Sequence, residues 1–146
     1  MIMSYMSRNG SALYAQTRAQ GSLEGADRHQ LLAMLLDGLV DRINQARGHI
    51  LHKDIPAKGQ AFGKAIGILV ALRESLDHTV EPTLTGRLDA LYDYITRRLL
   101  HAQLNDDLRA LDECERLIAP IREAWHAIRE PYLAELAQLK AQVAVP

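Results

Sequence analysis

Glu123 and His126 stand three residues apart, the Glu-x-x-His step from which helical bundles build di-iron centres. Such a centre needs two of those steps and two further inward glutamates. This chain has one step, and the inward positions that would supply the rest are apolar. His49 and His52 lie three apart and Glu74 and His78 four apart, but two ligands on a helix make a weak chelate. No metal is expected, and His126 reads as a surface residue. His101 raises phosphotransfer, yet His101-Ala102-Gln103-Leu104 holds no lysine to screen an incoming phosphoryl group. Cys114 falls on an apolar heptad position, where a free cysteine packs as a small hydrophobe. Arg97-Arg98 reads as a solvated pair with local carboxylate partners. No glycine-rich phosphate loop follows a strand, and no Ser, His, Asp order points to a nucleophilic triad. The expectation is a protein that is not an enzyme and carries no cofactor.

The elements that would position these residues come from composition and periodicity. The chain has 146 residues, 48% apolar and 24% charged, which suits one soluble globular domain. Its 17 basic and 18 acidic residues are mixed to a net charge of -1, so no nucleic-acid footprint is expected. A single cysteine suits a reducing compartment, Met1 to Gly10 lacks the apolar core of a signal peptide, and no apolar run is long enough to span a membrane. The expected location is cytoplasmic, without stable membrane insertion.

Residues 1–26 are rich in Ser, Gly, Gln and Arg and read as a flexible N-terminal arm. Asp27 and Gln30 resemble a capping box opening a helix over 27–52, where Leu32, Leu35, Leu39, Ile43, Ala46 and Ile50 step by three and four. Pro56 starts a second helix, over 56–79, with Phe62, Ala65, Ile66, Leu69, Leu72 and Leu76 on its stripe. Gly59, Gly63, Gly67 and Ala71 recur on another face of that helix. Three interior glycines cost about 1 kcal/mol each against alanine, so close packing on a neighbour, or a shallow partner groove, is expected there. Glu81-Pro82 opens a third helix, over 82–104, carrying Leu84, Leu88, Leu91, Ile95, Leu99 and Ala102, with Tyr92 beside the stripe and Asp93–Arg97 as an i,i+4 pair. Asn105-Asp106-Asp107 turns the chain into a fourth helix, over 106–130, whose stripe runs Leu108, Leu111, Cys114, Ile118, Ile121, Trp125 and Ile128. Trp125 is expected in the core, and Pro120 to kink or break this helix near 117–120. Residues 131–146 form a short amphipathic C-terminal extension. The fold is read as all-α: an antiparallel four-helix bundle over 27–130, flanked by the arm and the extension.

Several of these residues also carry a family resemblance. Tyr14, Leu31, Met34-Leu35-Leu36-Asp37-Gly38, Lys64-Ala65-Ile66, Ser75-Leu76-Asp77, Leu91-Tyr92-Asp93-Tyr94-Ile95 with Arg98-Leu99, Asn105-Asp106 and Arg122-Glu123-Ala124-Trp125 occur in the order found in the flagellar protein FliS family of flagellin-specific export chaperones. The chain departs from the usual pattern in having Asp27-Arg28 where a small residue and proline are common, and Leu36 where an aromatic is common.

The resemblance implies a cytoplasmic chaperone that binds the C-terminal segment of flagellin, keeps it from polymerising early and presents it to the flagellar export gate. The client segment, disordered alone, would fold into helices on apolar grooves of the bundle. Tyr14 is expected in an arm that plugs a groove in the client's absence, and Ile66, Leu69, Tyr92, Ile95 and Leu99 in the client groove. The alternative is an adaptor bundle that binds another flagellar, regulatory or signalling protein through the same face.

Overall fold

The computed structural model describes residues 26–143. Tyr14 and the rest of the expected arm lie outside the described residues, apart from Ala26. Five helices follow in order: α1 Arg28–Leu51, α2 Ile55–Glu74, α3 Pro82–Asn105, α4 Leu108–Ala127 and α5 Arg129–Val143, with no strand among the described residues. The all-α reading holds.

Local chemistry sets the helix starts. The Asp27 carboxylate accepts from the Gln30 backbone N–H at 2.8 Å, and Asp54 from that of Ala57 at 3.2 Å. Asp107 accepts from both Arg109 and Ala110, at 3.0 and 3.2 Å. Each cap satisfies donors that the helix leaves orphaned, a contribution of about 1 kcal/mol. At α3 the device is Pro82 in the first turn, entered from Glu81 with φ 47° in the left-handed region and without a side-chain cap.

Two boundaries differ from the periodic reading. α2 ends at Glu74 instead of continuing to 79. Ser75 Oγ donates to the Leu72 carbonyl at 2.6 Å, and the Asp77 carboxylate accepts from Thr79 N–H and Oγ–H at 3.0 and 2.5 Å. These short polar side chains offer the backbone a turn in place of the helix. α4, in contrast, runs unbroken through Pro120. Pro120 and Arg116, whose carbonyl loses its partner, are both exposed, so water can take up that acceptor. The chain instead breaks at Ile128, before Pro131.

α1 packs on α2 and α4, and α3 packs on the same two helices. Between them lie Leu39, Ile43, Phe62, Leu69, Ile95, Leu99, Leu111, Cys114 and Ile118, none with any exposed surface. Burial pushes the Cys114 thiol up to about 12, which keeps it protonated and unreactive, as expected of a packing residue. Ion pairs mark the seams: Arg47 with Asp112 and Glu115 at 2.9 and 2.7 Å, Arg73 with Asp89 at 2.7 Å, and Arg98 with Glu113 at 2.8 Å. Arg97 pairs with Asp93 at 3.1 Å, the local carboxylate expected of it, whereas Arg98 reaches across to Glu113 on α4.

The glycine face of α2 divides: Gly67 and Ala71 are buried, as close packing on a neighbour leads one to expect, and Gly59 and Gly63 are not. A Cβ at Gly59 or Gly63 would meet nothing within 4 Å, so no neighbouring helix requires those two glycines. α5 buries none of its residues and meets the bundle at its root.

Candidate functional site

The α2–α3 connection, 75–81, carries Leu76 and Val80 across the end of the bundle where α1 starts and α4 finishes. Arg28 at the head of α1 donates to the Ser75 carbonyl at 2.5 Å, which ties the loop down there. Beneath the loop, Leu84, Leu88 and Tyr92 follow one another at four-residue spacing along α3 and face Leu32 and Leu36 of α1, Leu72 of α2, and Ile121 and Trp125 of α4. Together they line a cleft of about 330 Å³. Its lips are apolar and wet, with Val80 at 58% and Leu84 at 56% exposed. Arg28, Asp77 and Glu81 supply charge at the rim. A neighbouring hollow, formed by Arg28, Ala71, Glu74, Ser75, Leu76, Asp77 and His78, is larger at about 510 Å³, but it is mixed in character. The smaller cleft is the candidate because burying apolar surface is what drives association.

Trp125 forms one wall of the cleft and is held from behind. The His29 ring stacks on it at 4.8 Å between centroids and 7° between planes. Trp125 Nε1 donates to the His29 carbonyl at 2.9 Å, and His29 Nε2 lies 2.6 Å from the Trp125 carbonyl. A carbonyl only accepts, so Nε2 carries the proton and Nδ1 is left as an acceptor for Arg129, 3.3 Å away. Arg129 also pairs with Asp27 at 2.6 Å, and this bond holds the Asp27 carboxyl below the usual carboxylate range. Tyr132, on α5, lies tilted by 33° against the His29 ring at 5.3 Å between centroids. Trp125 is therefore half-buried, packed against the core yet open to the cleft, a different role from the core position its heptad spacing suggests.

The expected groove residues divide. Tyr92 lines the cleft, although only 4% exposed, and burial pushes its phenol up to about 12. Leu69, Ile95 and Leu99 have no exposed surface and Ile66 has 6%, and all four lie in the core cluster. Their stripe spacing is the same whether the surface faces a neighbour or a client, and here the neighbours consume it. Leu84, Leu88, Leu76 and Trp125 are legible as stripe residues, while Val80 and His29 fall on no stripe. His29 sits in the polar run Asp27-Arg28-His29-Gln30, which signals a helix start and nothing more. His126, exposed as expected, lies 2.9 Å from the Asp37 carboxylate, and Arg122 donates to the same oxygen at 2.5 Å, so Asp37 ties α1 to α4.

A family model described as flagellar protein FliS matches residues 10–132. The chain is 39% identical over 121 residues to the flagellar secretion chaperone FliS of Salmonella typhimurium, covering 82% of this chain and 90% of that protein. It is 38% identical over 115 residues to the flagellar secretion chaperone FliSB of Pseudomonas aeruginosa, covering 79% and 91%, and 32% identical over 106 residues to the FliS of Bacillus subtilis, covering 73% and 78%.

Proposed function

The chain belongs to the flagellar protein FliS family, and on that premise we propose that it is a cytoplasmic chaperone for the C-terminal segment of flagellin. The observation that carries this reading is the apolar cleft under Val80 and Leu84. A helix presenting apolar residues at i, i+3, i+4 and i+7 could seat one or two large side chains there against Leu88, Tyr92, Ile121 and Trp125. Folding on that surface offsets the ordering entropy of a client that is disordered alone. A client held in this way is withheld from polymerisation and can be handed to the export gate. No helix among the described residues is long and apolar enough to cross a membrane.

We also read α1 to α4 as an antiparallel four-helix bundle. Lys58 Nζ, near the start of α2, meets Asp106 at 2.8 Å where α3 turns into α4, while His29 meets Trp125 at the other end. Both contacts support alternating helix directions.

Isothermal titration calorimetry with the C-terminal segment of the cognate flagellin tests the function. Binding at micromolar Kd or tighter is expected. No heat at ~100 µM of either component would overturn the proposal.

A further inference from the structure

We propose that His29 is a positioning residue for the client cleft: it presets the Trp125 wall and couples that wall to α5. The proposal rests on the reading of the cleft given above. A polar side chain only 1% exposed needs a reason to be buried, and His29 has every polar atom used. Its Nε2 and its backbone carbonyl engage the two ends of one residue, Trp125, fixing both the backbone and the indole. With the ring stacked flat on the indole, rotation of the Trp125 side chain into or out of the cleft would break the indole hydrogen bond and the stack together, while the bond from Nε2 holds the backbone beneath it.

His29 also touches α5. Tyr132 packs on the ring, and Arg129, anchored by Asp27, donates to Nδ1. Trp125, His29 and Tyr132 thus form an aromatic stack running from the cleft to a helix that buries none of its own residues. A displacement of α5 would be felt at the cleft wall through this stack, and a client side chain pressing on Trp125 would be felt by α5.

Trp125 is the chain's single tryptophan, so intrinsic fluorescence reads the wall directly, with or without a client. The expected result is that His29→Ala shifts the Trp125 emission and weakens binding of the flagellin segment about tenfold. His29→Gln, whose amide can donate to the Trp125 carbonyl and accept from Arg129, should bring both readouts most of the way back. Tyr132→Ala, remote from the bundle core, should shift the emission in the same direction with a loss of about threefold in affinity. If His29→Ala lowers the melting temperature but leaves emission and affinity unchanged in the folded protein, His29 is only a stabilising residue and the proposal is overturned. Should His29→Ala not fold, an unchanged emission in Tyr132→Ala overturns the coupling to α5. If the wild-type protein fails to bind the segment, the chaperone reading falls, and His29-dependent emission alone decides the positioning role.

Discussion

The two ends of the bundle are built from the same helices and closed differently. At the end where α3 turns into α4, two residues suffice, Asp106 in the left-handed region and Asp107 as cap. Lys58 reaches over to Asp106 and to the Gln103 carbonyl, at 2.8 and 3.2 Å. At the other end, 75–81 arches over a gap that Leu76, Val80 and Leu84 line without filling. The difference lies in how exposed apolar surface is arranged: Leu51, Ile55 and Leu104 near the tight turn are exposed without lining a described cleft, whereas Val80 and Leu84 stand over one lined by Leu32, Leu36, Leu72, Leu88, Tyr92, Ile121 and Trp125.

The sharpest way to break that contrast is to truncate one leucine on each side of it. Leu99→Ala, in the fully buried core, is expected to lower stability by about 3 kcal/mol in urea denaturation, from lost burial plus the cavity left behind. Leu84→Ala, at the lip, should cost below ~0.5 kcal/mol in the same measurement while weakening the flagellin segment several-fold in calorimetry. Equal stability losses at the two sites would mean that the cleft is core in solution and that the contrast is false.

A smaller effect is expected at the glycine face. Gly63→Ala meets no atom within 4 Å, so it should raise stability by about 1 kcal/mol by the helix propensity difference, read from thermal unfolding. If affinity for the client falls at the same time, that face is a second docking surface and binding is not confined to the open end.

The smallest expected effect concerns how the open end is tied. Asp27→Asn keeps a helix cap but loses the charge opposite Arg129, so stability at neutral pH should fall by less than ~1 kcal/mol, the pair being partly solvated. The Asp27 pKa is lowered in the folded state, chiefly by the hydrogen bond from Arg129. Its contribution is therefore present above the ordinary value near ~4 and is lost as pH falls through the lowered one. A denaturation series across the acid range should show a shallower decline for Asp27→Asn than for wild type. Superimposable curves would remove the ion pair from the account.

Helix number and order were legible because apolar spacing at three and four residues, Asp caps and Pro breaks are local facts. α1, α3 and the turn at 105–107 needed nothing more. The early end of α2 was less legible: Leu76 continues the stripe, and only the bonds made by Ser75, Asp77 and Thr79 decide that the helix has already stopped. At Pro120 a break was equally legible and does not occur, since the helix continues past the proline with the orphaned Arg116 carbonyl at an exposed position.

By itself the sequence determined an all-α chain with apolar stripes and an ordered set of motifs that placed it in its family. Only the tertiary structure decided which apolar residues are spare. Ile95 and Leu99 lie on the same stripe of α3 as Leu84 and Leu88, but neighbouring helices close over the first two and stand apart at the others. It also decided what His29 does, because a histidine at a helix start acquires a role only when Trp125, 96 residues later, folds back to meet it. Spacing along a helix fixes direction around its axis, and the distance to the next helix is a property of the whole packed set.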